Sequence, residues 1–314
     1  MSILAIFNPI SGAGRARIKA QALAEAAERR GVSLELQPTQ PTPAEAWLRP
    51  ILARGSHRAI VVIGGDGAVH LVAPEAARAE VPLVHCPQGN ENLFAREFGM
   101  SADPERVLDL VDQGQLRPVD LLNVSIPGRP SEIAVIMASI GFDARVVHDL
   151  AARRTGTVSH LSYLRPILRS AIGLSLPTIT AMLDGETIAE SVPGMIVVGN
   201  SRQYASRIDP ASRAKMDDGL LDVVIMPCRS VMGVIGWIAR SRFGRHLRHP
   251  DLIYRQGHTL DLRVTPGQAW QVDGDPPHDR NPVSEATFSV LPHALAVLEP
   301  APAGVGGTEN PESG

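Results

Sequence analysis

Cysteine is nearly absent from this sequence, which has only Cys86 and Cys228 in 314 residues. Two cysteines so far apart in the chain cannot build a disulfide framework, and they lack the spacing of a cysteine-based zinc site. A chain with so little cysteine is typical of a reducing compartment. We therefore expect a cytoplasmic protein.

Long apolar runs are also missing, since no stretch of about 18 uncharged apolar residues occurs. The longest candidate, residues 161–176, is interrupted by Arg165, Pro166 and Arg169, so we expect no transmembrane helix. Residues 1–7 are apolar but too short for a signal peptide, and we predict that they form a first β-strand.

The sequence has no strong excess of one charge. Its formal net charge of −3 gives no general attraction to nucleic acid or acidic membranes, and no nucleic-acid partner is expected. With 44% hydrophobic and 20% charged residues, the composition is that of an ordinary globular protein. The length allows one large or two ordinary domains, and we expect two.

The first part of the chain alternates between strand and helix patterns. Apolar runs predict strands at 3–7, 33–37, 59–63 and 82–86, and helical periodicity predicts helices at 15–30, 44–54, 68–79, 92–98 and 104–113. This alternation predicts an α/β domain over residues 1–118, with a mostly parallel sheet between two layers of helices. In such sheets, ligands bind beyond the carboxyl ends of the strands.

The pattern changes near residue 119, where short strands separated by turns predict a β-rich second domain over residues 119–300. The predicted strands are 121–126, 132–137, 179–183, 195–198, 221–226, 259–264, 270–272 and 286–290, and the predicted helices are 143–150, 159–172 and 231–240. A strand-like piece at 294–299 is a candidate to return to the first domain. Residues 301–314 are rich in Gly, Pro and Glu and are predicted to be disordered.

Three glycine-bearing loops follow predicted strands and would lie at one edge of the first sheet. The first loop is residues 8–15, the second is residues 64–67 with the sequence Gly-Gly-Asp-Gly, and the third is residues 86–92. Backbone N–H groups in such turns and at helix N-termini are good donors to phosphate. The three loops therefore predict a nucleotide phosphate site.

The second loop is the most specific of the three, because three glycines in four positions after a buried strand are hard to explain by packing. Asp66 in this loop could orient Mg²⁺ against the phosphates or accept the proton of an attacking hydroxyl. The first loop lacks the ending of a P-loop and also fits a plain strand–helix turn. In the third loop, Asn90 and Asn92 could bond a ribose or a phosphate, and Asn92 could equally cap the next helix.

Two acidic turns lie in the second domain. Asp218 and Asp222, with backbone carbonyls, could bind a hard cation, although an ordinary Asp-Gly turn explains the same residues. Asp275 could be a general base for a substrate hydroxyl if its turn faces the first domain, and a plain Asp-Gly hairpin is the alternative.

One strongly basic run spans residues 240–249, with Trp237 and Phe243 nearby. Such a run could contact an anionic membrane surface, and a solvated loop is the alternative interpretation. The chain has no Gly-x-Ser-x-Gly motif, so a hydrolase triad is not predicted.

Taken in order, these pieces resemble the diacylglycerol kinase catalytic-domain family, which includes bacterial lipid kinases and sphingosine kinases. The resemblance covers about residues 3–300, and the ordered set is specific although no single member is. The matching residues are Asn8-Pro9 with Ser11, Gly12 and Gly14; residues 64–67; Pro87, Gly89, Asn92, Ala95 and Arg96; residues 139–144; Asn200; residues 218–222; and Asp273-Gly274.

The resemblance implies a nucleotide-binding α/β domain and a sandwich-like second domain, with the active site in the cleft between them. It implies ATP and Mg²⁺ as cofactors and a lipid substrate whose hydroxyl is phosphorylated. Peripheral membrane contact is suggested separately by the basic run at residues 240–249. The residues implied to contact the nucleotide are Asn8, Ser11, Gly12, Thr39, Gly64, Gly65, Gly67, Gly89 and Asn92. Asn90 is added as a candidate because its side chain can also donate to a phosphate.

The same resemblance implies roles for the acidic residues. Asp66 would act on the phosphates and the metal, and Asp275 stands where the family usually has a glutamate proposed as general base. Asp218, Leu220 and Asp222 resemble a structural divalent-metal site.

The chain departs from the family pattern at a few positions. Ala68 and Asn90 stand where the family usually has threonine, and His70-Leu71 replaces a usual Asn-Glu pair. Two hydroxyls on the phosphate side are therefore missing. The alternative function is a kinase-like protein that binds nucleotide or lipid without turnover. An NAD kinase is disfavoured by the matches in the second domain, and the oligomeric state is not predicted.

Overall fold

The computed structural model describes residues 1–151, 176–277 and 281–301. The first part of the chain alternates strands and helices as the sequence predicts. Its strands are β1 (Ser2–Phe7), β2 (Leu34–Pro38), β3 (His57–Gly64) and β4 (Leu83–Pro87), and its helices are α1 (Arg15–Arg29), α2 (Ala44–Arg54), α3 (Asp66–Arg78), α4 (Leu93–Glu97) and α5 (Pro104–Gln113).

These four strands form a parallel sheet in the order β2-β1-β3-β4. Its central strands are almost wholly apolar, and residues 3–6 and 59–63 have no solvent exposure. A parallel strand covered on both faces needs such a run. The α/β fold class predicted for this part of the chain is confirmed.

The second part of the chain is dominated by antiparallel strands. Its strands are β5 (Gln115–Ser125), β6 (Glu132–Ala134), β7 (Met137–Ile140), β8 (Thr178–Leu183), β9 (Glu186–Gly199), β10 (Leu221–Pro227), β11 (Ile253–Gly257), β12 (Thr259–Gln268), β13 (Trp270–Val272) and β14 (Val283–Glu299), and its helices are α6 (Phe142–Ala151) and α7 (Val231–Arg242). Short 3-10 turns occur at Ser11–Gly14, Ala205–Arg207 and His246–Arg248.

Two groups of these strands enclose a second core. One group follows the order β9-β8-β12-β14-β5-β6, and the other the order β11-β10-β9-β7-β13. The long strand β9 belongs to both, because residues 186–193 pair with β8 and residues 194–199 pair with β10 and β7. Buried residues such as Val198, Leu262 and Phe288 fill the space between the groups. The predicted β-rich, sandwich-like architecture is confirmed.

Two long strands join the two parts. Strand β14 pairs with β12 near its start, with β5 along most of its length, and with β4 in parallel at Val297 and Leu83. Strand β5 begins at Gln115 and crosses residue 118 without a break. The two parts therefore share continuous strands and are not joined by a flexible linker.

Several strands are longer than the sequence predicts. Strand β9 starts nine residues before the predicted 195–198, in a stretch that carries Glu186, Glu190 and Pro193 and gives little apolar signal. The pieces at 286–290 and 294–299 are one strand, with a register shift between Leu291 and Leu295. Strand β11 was not predicted, and the predicted helix at 159–172 lies outside the described residues.

Among the residues described, no helix has both the length and the apolar character needed to span a bilayer.

Asp120, on β5, anchors the register shift of β14 and a turn of the second part. Its fully buried carboxylate accepts hydrogen bonds from the backbone N–H of His293 and of Gly219, each at 2.7 Å. His293 has a φ of +53°, which is costly for a non-glycine residue. The carboxylate therefore stabilises a backbone that the local sequence alone would disfavour.

We predict that Asp120→Ala lowers the free energy of unfolding by about 3 kcal/mol, because two backbone N–H groups lose a buried, charged acceptor. Denaturant unfolding followed by circular dichroism measures this change. The control is Asp109→Ala, which removes an exposed carboxylate paired with Arg30 and should cost less than about 1 kcal/mol. Equal effects of the two substitutions would contradict this role of Asp120.

Candidate functional site

The second and third loops touch each other through glycine backbones at the carboxyl ends of β3 and β4. A Cβ atom built on Gly89 would lie 2.6 Å from the Cα of Gly65, and one built on Gly65 would lie 3.1 Å from the Cα of Gly89. Real Cβ atoms essentially never approach a backbone atom to 2.6 Å, so position 89 requires glycine, and a side chain at position 65 would fit only if the third loop moved by a few tenths of an ångström. The requirement comes from contact between the loops and explains two of the glycines that the sequence singles out.

The first loop meets the third loop in the same way. Gly12 has a φ of +59°, and a Cβ atom there would lie 2.7 Å from the carbonyl oxygen of Gln88. Asn8 begins this loop, and its backbone N–H donates to the carbonyl of Ile63 at the end of β3. The three loops therefore come together at one edge of the sheet, as predicted.

The predicted residues Asn8 and Ser11 follow β1, and Thr39 follows the neighbouring strand β2. The backbone N–H of Thr39 donates to the carbonyl of Phe7, and that of Ser11 donates to the carbonyl of Asn8. The side-chain oxygen of Asn8 accepts from the backbone N–H of Ile10. These contacts shape the first loop, and nucleotide contact by the three side chains stays a prediction.

Asp66 links the second loop to the helix that follows the third. It is the first residue of α3, and its Oδ1 accepts a hydrogen bond from the backbone N–H of Phe94 in the first turn of α4, at 3.1 Å. Gly65 precedes the helix, and among the described residues no side chain caps its N-terminus. A helix start of this kind presents free N–H groups and the positive end of a dipole.

His85 lies beneath the second loop. It is fully buried, and its Nε2 is 3.0 Å from the carbonyl oxygen of Gly64. Burial lowers the pKa of His85, and the charge of Asp66 and the hydrogen bond to Gly64 only partly oppose this shift. A neutral imidazole therefore supports the turn between β3 and α3.

Asn92 shapes the third loop with its side chain. Its Oδ1 accepts from the backbone N–H of Gly89, and its Nδ2 donates to the carbonyl of the same residue. Asn92 occupies the position before α4, but its side chain does not cap that helix. Asn90 is exposed. Nucleotide contact by these two asparagines stays a prediction.

Asp275 reaches the second loop from the second part of the chain. A Cβ atom on Gly67 would lie 2.8 Å from Oδ2 of Asp275, so the carboxylate lies against the first turn of α3. The turn that carries it has positive φ at Asp273 (+51°) and Gly274 (+83°), as in a type I′ turn. The predicted Asp-Gly hairpin is therefore present and faces the first part of the chain, and the role of Asp275 as general base stays a prediction.

Asp273 fixes this turn from the buried side. Its carboxylate accepts hydrogen bonds from three consecutive backbone N–H groups, at residues 135, 136 and 137, and Oδ2 lies 2.8 Å from Nδ1 of His70 on α3. Burial alone would lower the pKa of His70, but the hydrogen bond and charge of Asp273, with the charges of Asp275 and Glu132, raise it overall. The pair fastens the acidic turn to α3.

A second contact between the two parts lies beside the third loop. Ser206 donates its backbone N–H to a carboxylate oxygen of Glu91 at 3.2 Å, and the hydroxyl of Ser201 donates to Glu97 at 3.0 Å. Ser206 has a φ of +54°, a conformation that glycine adopts more easily. Sequence reasoning missed His70, Glu91 and Glu97 as partners across this boundary, because nothing local marks such long-range contacts.

The other acidic turn, at residues 218–222, is stabilised by hydrogen bonds from neighbouring groups of the chain. Oδ1 of Asp218 accepts from the backbone N–H of Leu220, and Asp222 accepts from the hydroxyl of Tyr254 at 2.6 Å. Burial raises the pKa of Asp222 to about 6, although hydrogen bonds from Tyr254 and Gln256 oppose the shift. Across residues 1–151, 176–277 and 281–301, no cluster of three or more His, Cys, Asp or Glu could hold a metal ion. The metal role of Asp218, Leu220 and Asp222 stays a prediction.

Two family models match the chain. The diacylglycerol kinase catalytic domain matches residues 2–124, and the YegS C-terminal NAD kinase beta sandwich-like domain matches residues 136–299. Together these matches cover both the parallel sheet and the antiparallel part.

Individual relatives agree with these matches. A Mycobacterium tuberculosis protein named "Diacylglycerol kinase" is 28% identical over 302 residues, covering 95% of both chains. A Pseudomonas aeruginosa protein named "Probable lipid kinase YegS-like" is 31% identical over 264 residues, covering 80% of this chain and 79% of the relative. A solved structure of a diacylglycerol kinase from Bacillus anthracis has the same fold, with a TM-score of 0.71 at 20% identity, and covers 95% of this chain and 97% of its own.

We predict that the contact between His70 and Asp273 makes stability depend on pH. Because the pKa of His70 is raised in the folded protein, the ion pair stabilises fully below the unfolded pKa of about 6.5 and loses its effect as pH rises through the folded pKa. The difference in unfolding free energy between wild type and His70→Gln should therefore be largest in mild acid and shrink as pH rises. A difference that does not change with pH would contradict the ion pair.

Proposed function

We propose that this chain, which belongs to the diacylglycerol kinase catalytic-domain family, is a lipid kinase that transfers the γ-phosphate of ATP to a hydroxyl of diacylglycerol or a related lipid. The observation that carries the proposal is the carboxylate of Asp275 against Gly67, at the helix start where three glycine loops meet. We assign the nucleotide to residues 1–118 and the lipid to residues 119–300. We expect the protein to work in the cytoplasm, at the membrane surface.

The phosphate-binding part of the proposal rests on backbone groups. Gly12, Gly65 and Gly89 let three loops pack so closely that their backbones form one surface. The first turn of α3 adds uncapped N–H groups to that surface. Such groups suit phosphate because they donate without bringing a charge that must be desolvated first.

Asp66 fits a role toward Mg²⁺. Carboxylate oxygens are preferred ligands of this ion, and Phe94 uses only Oδ1 of Asp66. When bound, Mg²⁺ supplies neutralisation of the charge on the phosphates. The protein contributes a carboxylate that α4 already holds in place.

Asp275 is proposed as the general base. The lipid hydroxyl oxygen forms a bond to the γ-phosphorus, the bond from that phosphorus to the bridging oxygen breaks, and ADP leaves. The hydroxyl proton passes to the carboxylate of Asp275. Asp273, two residues earlier, supports this role because its four hydrogen-bond partners fix the turn. Asp66, whose Oδ1 accepts from Phe94, is the second candidate for the proton.

A catalytically impaired nucleotide- or lipid-binding protein is the alternative, and one observation favours it. Ala68 is buried in the first turn of α3. A Cβ atom built on Gly64 would lie only 2.8 Å from the Cβ of Ala68, so the space around this residue is tight. Alanine has no hydroxyl, so this position cannot donate a side-chain hydrogen bond to the phosphates. A lost hydrogen bond to a charged group costs about 1.5–3 kcal/mol, enough to slow a reaction tenfold or more.

We predict that Asp275→Asn lowers kcat by about 10²–10⁴-fold, the usual contribution of a general base, with unchanged affinity for the nucleotide. Transfer from labelled ATP to diacylglycerol in mixed micelles measures kcat, and calorimetry with a non-hydrolysable analogue measures affinity. The control Asp261→Asn changes an exposed carboxylate on β12 and should leave both values unchanged. Full activity of Asp275→Asn would reject the assignment of the base. No transfer by wild type to any of a broad panel of lipid alcohols would reject the function.

Restoring the two threonines separates the lipid kinase from its impaired alternative. If the site is active with Ala68 and Asn90, wild type transfers phosphate. The double variant Ala68→Thr with Asn90→Thr should then have a lower rate, because the buried threonine must fit against Gly64. Ala68→Ser adds the hydroxyl without the methyl group and is the matched control. A near-zero wild-type rate that rises strongly in the double variant would instead support a decayed site.

A further inference from the structure

Helix α7 has an apolar inner face and an apolar outer face. Val234 and Trp237 are buried in the core, whereas Met232 is 73% exposed and Ile235, one turn later, is 37% exposed. Phe243, directly after the helix, is also 73% exposed. Large apolar side chains grouped in solvent are typical of an interaction site.

The same segment concentrates positive charge. Residues 223–250 contain no aspartate or glutamate and five arginines, in a protein whose formal net charge is −3. All five are exposed, and none forms an ion pair with another described residue; they are Arg229, Arg240, Arg242, Arg245 and Arg248. The next acid, Asp251, lies 3.9 Å from His249. We call the outer face of α7 together with residues 243–248 the α7 surface.

The α7 surface lies beside the loop that borders the candidate site. Nε2 of His246 is 2.9 Å from the carbonyl oxygen of Pro210. Four residues before Pro210, the backbone of Ser206 bonds Glu91 of the third loop. A partner on the α7 surface would therefore be held close to the boundary between the two parts of the chain.

We propose that the α7 surface docks the protein on a bilayer that carries anionic phospholipids. Exposed arginines complement anionic headgroups, and Met232, Ile235 and Phe243 suit the boundary between headgroups and acyl chains. A nucleic acid would pair with the arginines and leave the apolar side chains uncovered. The biological purpose of docking rests on the proposed function, because the lipid acceptor of such a kinase resides in a bilayer.

Vesicle co-sedimentation without nucleotide tests this surface independently of catalysis. Wild type should bind phosphatidylcholine vesicles that contain phosphatidylglycerol, should not bind pure phosphatidylcholine vesicles, and should lose binding as salt rises. Arg242→Glu with Arg245→Glu should weaken binding at least about tenfold, because each basic residue near the surface contributes several-fold. Met232→Ser with Phe243→Ser should weaken it at every salt concentration.

Matched controls lie elsewhere on the protein. Arg106→Glu with Arg263→Glu reverses two exposed arginines on α5 and β12, and Leu116→Ser removes a 65% exposed apolar side chain on β5. These variants should bind vesicles like wild type. Equal binding to both kinds of vesicle, no binding at all, or the same loss in the control variants would overturn the proposal.

An activity assay separates failure of docking from failure of the proposed function. On a soluble short-chain diacylglycerol, the α7-surface variants should keep wild-type activity while losing activity on vesicles. If wild type transfers phosphate but does not bind anionic vesicles, the docking proposal fails alone. If the vesicles are bound as described and no lipid alcohol is phosphorylated, the docking stands and the kinase assignment fails.

Discussion

The close approach of three glycine backbones is the constraint on which the candidate site depends. Gly65 and Gly89 leave no room for a side chain between the second and third loops, and Gly12 leaves none between the first and third. A larger residue at any of these positions would push the loops apart. The strands beneath can hold the loops in register because β1, β3 and β4 are adjacent, parallel and fully buried at their centres. The position of the three glycine loops therefore depends on the buried apolar sheet beneath them.

Asp273 and Asp275 lie in one turn at the boundary between the two parts of the chain and have different roles. Asp273 is turned inward, where three backbone N–H groups and His70 hold it. Asp275 points to the start of α3. The hydrogen bonds of Asp273 fix the turn and so keep the carboxylate of Asp275 in place at the start of α3. His70 is the part of this support that departs from the family pattern, so this chain fastens the turn with its own residue.

The sequence predicted the fold class, the parallel sheet and the meeting of the three loops, because these follow from local patterns: apolar runs, helical periodicity and glycine after a strand. It underestimated β9 and β14, since those strands cross between sheets and carry charged or proline residues where they bend. The contacts of Asp273 with residues 135–137, and of Ser206 with Glu91, join positions more than 100 residues apart. No local pattern encodes such contacts. The acidic turn suggested Asp275 as a base only if it faced the first domain, and the resemblance supported the same role. Its neighbour Gly67 could be identified only from the structure.

Hydrogen–deuterium exchange of the full-length protein with a non-hydrolysable ATP analogue and Mg²⁺ tests the account most directly. Amide exchange in residues 8–15, 64–67 and 86–92 should slow together, with the same dependence on analogue concentration, because one polyphosphate group contacts all three loops. Protection of other segments with these three unchanged, or no protection at a saturating concentration, would contradict it.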